Sequence, residues 1–176
     1  VIGMGYVGLP LAVALGQKWQ TVGFDINERR IKELNSKIDS TGEVSEMEFN
    51  DSRLILFSDD EKAILDSNIY IVTVPTPITT NNLPDLNAIK NATKLISTII
   101  SDGDLVIYES TVYPGTTEEI CIPILEKVSL LKSNKDFFVG YSPERINPSD
   151  QKYKLININK IVSSQSTKST NFIYKL

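Results

Sequence analysis

Short apolar runs alternate with stretches of helical spacing along most of the chain. The runs at 20–25, 54–57, 68–75, 104–110, 137–142 and 160–162 are rich in Val, Ile and Tyr, as expected of strands covered on both faces. Val1 and Ile2 read as the stump of a further strand. Between them lie helical patterns. Residues 9–19 are apolar nearly all round and predict a buried helix, whereas 27–35 are amphipathic. Ser45 and Glu48 have the spacing of a capping box and predict a short helix. The clearest helix runs from 86 to about 100, capped by Asp85, with Leu86, Ile89, Ala92, Leu95, Ile96 and Ile99 on one face and Gly103 just beyond its end. Thr116 and Glu119 read as a second capping box, opening the helix that carries Cys121.

Strands alternating with helices imply βαβ units with right-handed crossovers. The fold class expected is therefore α/β: a Rossmann-like, doubly wound and mostly parallel sheet with helices on both faces. We expect one domain over 1–165, with 166–176 opening a further helix. There is no internal repeat, and the polar stretch 76–83 is a loop after a strand end.

Composition narrows the chemistry. The 176 residues are 41% hydrophobic and 23% charged, ordinary for a globular domain that buries a core. There is no histidine, which excludes a Ser-His-Asp triad, a Cys-His dyad and a His-ligated metal within these residues. A single cysteine excludes an internal disulfide and a Cys-rich zinc site. Its neighbours Ile120, Ile122 and Pro123 mark Cys121 as a small core residue. The net charge of −4 argues against a nucleic-acid partner, and no apolar run has the length of a membrane span. The chain begins inside a strand without an initiator Met.

One motif carries chemistry directly. Gly3-Met4-Gly5-Tyr6-Val7-Gly8 is a complete G-x-G-x-x-G, with a strand stump before it, a helix after it, and a following strand that ends in Asp25. Gly3 allows the tight turn, Gly5 lets the backbone approach a pyrophosphate, and Gly8 permits close helix–strand packing. The helix N-terminus offers N–H groups and a positive dipole end to phosphates. Asp25 sits where ribose hydroxyls should lie; a carboxylate there accepts from a 2′-OH and repels a 2′-phosphate, which favours NAD over NADP. Arg29 and Arg30 are the residues that could receive a 2′-phosphate instead; we expect Arg30 to lie along the adenine ribose, with Asp25 deciding.

Further segments extend the pattern, which continues from the fingerprint into Leu9-Pro10: Val22-Gly23-Phe24-Asp25, Val74-Pro75-Thr76-Pro77, Glu109-Ser110-Thr111-Val112-Tyr113-Pro114-Gly115-Thr116-Thr117-Glu118, and Tyr141-Ser142-Pro143-Glu144-Arg145-Ile146-Asn147-Pro148. In this order, and spanning almost the whole chain, they resemble the NAD-binding domain of the nucleotide-sugar 6-dehydrogenases, the UDP-glucose/GDP-mannose dehydrogenase family. The last two segments are most similar to the UDP-N-acetylglucosamine and UDP-N-acetylgalactosamine branch, of the Vi-polysaccharide type. The resemblance implies backbone contacts from Tyr6 and Val7 to the pyrophosphate, and Asp25 and Arg30 at the adenine ribose. It also implies Val74, Pro75 and Thr76 in the loop over the cofactor, with Ser110 and Thr111 toward the nicotinamide. Glu144 would face the reacting carbon through water, and Arg145 and Ile146 would meet the substrate. Pro75, Ser110 and Ser142 close strand C-terminal ends, the edge where doubly wound sheets bind ligands. A strand-end hydroxyl satisfying backbone remains the alternative for Thr111, and a surface ion pair the alternative for Glu144 and Arg145. As a proton acceptor at neutral pH, Glu144 would need desolvation.

By the same resemblance, two hydride transfers convert a C6 alcohol to a carboxylate, the second through a thiohemiacetal on a cysteine. That cysteine's motif, G-x-C-x-x-x-D, does not occur here, and Pro148 stands where UDP-glucose enzymes carry a second Glu. We therefore expect a cofactor-binding half, with 166–176 leading to central and UDP-sugar-binding domains. The expected setting is a cytoplasmic homo-oligomer that makes a uronic acid for a surface or capsular polysaccharide. The alternatives are another Rossmann dehydrogenase, acting on a 3-hydroxy acid or 6-phosphogluconate, and a nucleotide-binding module without catalysis.

Overall fold

The computed structural model describes residues 1–143 and 159–176. They fall into two compact units, Val1–Asp66 and 67–143 with Lys160–Leu176.

In the first unit, β1 (Thr21–Phe24) and β2 (Ile55–Ser58) pair in parallel, with Thr21 opposite Ile55 and Phe24 opposite Ser58. The Val1–Ile2 stump lies on the other side of β1. Ile2 bridges Phe24 in parallel, and the Phe24 and Gly3 amides complete the ladder at 2.8 Å each. Around these strands are α1 (Gly8–Gly16), α2 (Glu28–Asn35), α3 (Glu46–Asp51) and a 3₁₀ turn at Glu61–Ile64 that periodicity does not reveal. Met4, Leu9, Leu34, Phe49 and Phe57 form the centre of the core, with the two phenylalanine rings edge to face at 6.2 Å. Each such side chain contributes roughly 1.5–3 kcal/mol by leaving water. Helix α1 is shorter than its apolar run. Gly16 ends it because β2 comes in close there: a Cβ on Gly16 would stand 2.8 Å from Ile55 Cβ, and the Leu54 amide bonds Gly16 O at 2.9 Å. Trp19 is consequently half-exposed rather than buried in a helix. Asn27 caps α2 by accepting from the Arg30 amide, and the Ser45–Glu48 capping box is present in both directions at α3.

In the second unit, β3 (Ile69–Val72), β4 (Leu105–Tyr108) and β5 (Phe138–Tyr141) are parallel and adjacent in that order. All four residues of β4 are buried, which its continuous apolar sequence anticipates. The last strand differs from expectation. It is β6 (Ser163–Ser164), not 160–162, and it runs antiparallel to β5. Ile161 faces solvent, while the serines add side-chain bonds to the edge, Ser164 Oγ to Val139 O at 2.7 Å among them. Polar hydroxyls, rather than apolar alternation, define this short edge.

Helix α4 (Asn87–Ser97) buries Ile89, Ala92 and Ile96, and Asp85 Oδ1 accepts from the Asn87 amide at 2.9 Å. The second capping box does not form. Thr116 already has helical dihedrals and donates to Tyr113 O at 2.8 Å; a π-helical turn, Thr117–Cys121, then runs into α5 (Ile122–Ser129). Helix α6 (Thr167–Lys175) is capped by Ser166 and packs on β5 and β6. Among the described residues no helix is long and apolar enough to cross a membrane.

Candidate functional site

The fingerprint loop has the geometry that its glycines require. Gly3 adopts φ +98°, a left-handed conformation that sharply turns the chain out of the strand stump. Gly5 has the opposite property: a Cβ built there meets nothing within 4 Å among the described residues, so its flank is open. Gly8 is buried at the start of α1. No hydrogen bond occupies the amides of Gly5, Tyr6, Val7 and Gly8 among the described residues, while the Leu9 amide already bonds Gly5 O at 3.1 Å. Four unengaged N–H groups at a helix N-terminus, beside a bare glycine, form a cradle for an anion. Val7 is buried and Tyr6 is 42% exposed, so both offer backbone rather than a shared side-chain surface.

Asp25 follows β1 and is tied to this loop. Its Oδ2 accepts from the Met4 amide at 2.7 Å and its Oδ1 from the Asn27 amide at 2.9 Å. Each carboxylate oxygen keeps a lone pair for a further donor. Arg30, from the first turn of α2, is 8% exposed, with its guanidinium largely consumed by protein. Nε donates to Met4 O at 2.9 Å, Nη1 to Ser40 Oγ at 3.1 Å, and Nη2 to Asp39 Oδ1 at 2.7 Å. Asp39 was not among the expected site residues. The turn sequence Asp39-Ser40-Thr41-Gly42 is the signal that could have drawn attention to it. Burial alone would push the Asp39 carboxyl up, but bonds from the Thr41 hydroxyl, Arg30 and the Thr41 and Val44 amides outweigh it and hold it below the usual carboxylate range.

The second unit presents its own cluster at the C-terminal ends of β3 and β4. Ser110 is buried, and its hydroxyl donates to Val74 O at 2.7 Å. The Glu109 amide bonds Val72 O at 2.8 Å, and the Thr76 hydroxyl donates to Thr111 O. Thr76 and Ser110 thus cross-tie the two loops. Thr111 is exposed, as is Pro75, with Val74 half-buried between the tied positions. At the end of β5 the Ser142 hydroxyl is buried, with no hydrogen-bond partner among the described residues. Glu109, buried, is ion-paired with Lys160, a tie that patterning did not suggest. Glu144, Arg145 and Ile146 lie outside the described residues. Cys121 is fully buried beside Thr93 and Tyr108, and burial, ahead of its neighbours' effects, pushes its thiol up, so it is not poised as a nucleophile. Among the described residues no cluster of His, Cys, Asp or Glu could hold a metal.

A left-handed glycine, an open glycine, free amides at a helix N-terminus and a strand-end carboxylate define a dinucleotide-binding domain of the Rossmann class. The pattern describing the NAD binding domain of the UDP-glucose/GDP-mannose dehydrogenase family matches residues 1–176, and the chain belongs to that family. NAD is its cofactor, and the open Gly5 flank with the unencumbered Asp25 lone pairs fits that group.

Similar proteins agree. UDP-N-acetyl-D-glucosamine 6-dehydrogenase of Salmonella typhi is 49% identical over 98% of this chain and 41% of its own length. The enzyme of the same name from Pseudomonas aeruginosa is 48% identical over 100% and 42%. Among solved structures, UDP-D-ManNAc dehydrogenase of Pyrococcus horikoshii superposes with a TM-score of 0.90 at 30% identity, covering 99% of this chain and 43% of that one. The chain therefore spans about two-fifths of the length of the curated relatives it matches.

Proposed function

We propose that the protein carrying this domain is an NAD-dependent nucleotide-sugar 6-dehydrogenase, oxidising the C6 hydroxyl of a UDP-N-acetylhexosamine to a carboxylate. The observation that carries this is the family match over 1–176, together with nearly half-identity to two enzymes named for UDP-N-acetyl-D-glucosamine. NAD supplies the hydride acceptor. The chain's own residues bind and orient it. The Gly5, Tyr6, Val7 and Gly8 amides receive the pyrophosphate at the dipole end of α1, and Asp25 receives the adenine-ribose hydroxyls on lone pairs its backbone bonds leave free. Thr76 and Ser110 act through backbone, holding the loops that carry Val74, Pro75 and Thr111. Thr111 stands at the nicotinamide end, and Glu144, with Arg145 and Ile146, serves the sugar. With no histidine in this chain, the proton of the C6 hydroxyl leaves through water, Thr111, Glu144 or a lysine of the downstream part of the protein. The residues from 166 onward lead into the part of the protein that supplies the thiol and most of the sugar pocket. The setting is cytoplasmic, the assembly a homo-oligomer, and the product a uronic acid for a surface or capsular polysaccharide.

The test is NADH formation by the full-length protein with UDP-N-acetylglucosamine, UDP-N-acetylgalactosamine and UDP-glucose offered separately. The proposal predicts two NADH per sugar with an N-acetylated substrate. Turnover confined to UDP-glucose would overturn the substrate assignment, and NAD binding without turnover on any UDP-sugar would leave a binding module.

A further inference from the structure

We infer that Asp39 is a second determinant of NAD over NADP, acting by keeping Arg30 from a ribose 2′-phosphate. This rests on the reading that Asp25 holds the adenine ribose. Asp25 and Arg30 converge on one residue: the carboxylate accepts from Met4 N at 2.7 Å, and the guanidinium donates to Met4 O at 2.9 Å. Arg30 is therefore a single residue's backbone away from the ribose-binding group. An arginine in that neighbourhood is what a domain uses to accept a 2′-phosphate, because its fork matches the anion.

Here that fork is occupied. Its Nη2 is 2.7 Å from Asp39 Oδ1, and Nη1 is 3.6 Å from Glu33 Oε2. The Asp39 side chain is 1% exposed. It is held from behind by the amides of Thr41 at 2.9 Å, Glu43 at 2.8 Å and Val44 at 3.0 Å. A buried pair with this many bonds is costly to open. Loss of Asp25 alone removes the repulsion toward a 2′-phosphate but does not release the cation that would attract it. The hydroxyls of Ser40 and Thr41 stand on the same guanidinium at 3.1 and 3.5 Å, so the surroundings of a phosphate site are present with a carboxylate in the anion's place. Arg29 is the competing cation. Its side chain is 89% exposed and, among the described residues, pairs with Glu33 at 3.4 Å.

The experiment is calorimetric titration of the full-length protein with NAD and with NADP, comparing Asp25→Ser, Asp39→Asn and the double variant. Asn at 39 can still accept from the Glu43 and Val44 amides while losing its charge. The expected result is coupling: the double variant improves NADP affinity about tenfold or more beyond the product of the single effects, the scale of one charge-assisted hydrogen bond. Adding Arg30→Gln abolishes that gain, and adding Arg29→Gln does not. Simple multiplication of the single effects, or a gain that survives Arg30→Gln, overturns the proposal. Should Asp39→Asn fail to fold, Asp25→Ser with and without Arg30→Gln decides. The ratio of NADP to NAD affinity stays within about twofold if Asp39 withholds Arg30, and falls about tenfold if Arg30 already meets the phosphate. Unchanged NAD affinity in Asp25→Ser would instead defeat the ribose reading, a result distinct from absent coupling.

Discussion

Gly23, on β1, and Asp25, just past its end, have opposite duties. Gly23 serves packing: a Cβ there would stand 2.7 Å from both Met4 Sδ and Phe57 Cδ1. Gly23→Ala should destabilise the fold by roughly 1–3 kcal/mol through overpacking, visible as a lower denaturation midpoint. Asp25 serves the ligand. Asp25→Ala should weaken NAD binding about tenfold to a hundredfold, the scale of one or two hydrogen bonds to a charged group, and equal NAD affinity in calorimetry would remove the ribose assignment. Asp39 adds a pH signature. Its carboxyl is held below the ordinary range, so the stability it contributes is complete above an unfolded-state pKa of about 4 and is lost as pH falls through the folded value. Asp39→Asn should flatten the acid limb of a stability–pH curve while lowering stability at neutral pH; an unchanged acid limb would show that the pair contributes nothing.

Between elements, α4 is fastened to β4 by a buried polar contact with a fixed direction. Thr93 Oγ1 donates its one proton to Ile89 O at 2.7 Å, so Tyr108, at 2.9 Å, must be the donor to Thr93. Thr93→Val should cost about 1–3 kcal/mol, because the tyrosine hydroxyl is left with only the weakly accepting Cys121 sulfur. Tyr108→Phe should cost less, since Thr93 keeps its bond to Ile89; the reverse order in chemical denaturation would contradict this assignment of donor and acceptor. Element identity was legible where one physical signal dominates: the apolar runs of β1 to β5, the periodicity of α4 and the capping box at Ser45. It was illegible where tertiary contacts decide. The Thr116–Glu119 spacing looks like a cap, but Thr116 turns its hydroxyl to Tyr113 and the chain enters through a π turn. The edge strand β6 is built by two serines, a composition without any strand period.

For the whole molecule, the sequence carries the fingerprint and its acid because spacing alone dictates them, and it could not carry partners distant in the chain. The Glu109–Lys160 pair joins residues 51 apart that no local pattern brings together, and the turn sequence from Asp39 to Gly42 signals a turn without naming Arg30 as the partner. The same limit applies to Thr76 and Ser110, named as cofactor neighbours from motif, whose hydroxyls are spent holding backbone. What joins these observations is a loop with one unguarded flank, at Gly5. Because a Cβ there meets no atom of the described residues within 4 Å, Gly5→Ala should leave thermal unfolding unchanged and still obstruct a diphosphate approaching the Tyr6 and Val7 amides. Titration of the full-length protein and its Gly5→Ala variant with NAD, with melting curves in parallel, is the decisive measurement. Equal melting temperatures without cofactor, and affinity reduced about tenfold or more in the variant, are the expected result. Undiminished NAD binding by a normally folded Gly5→Ala protein would place the diphosphate somewhere other than this loop.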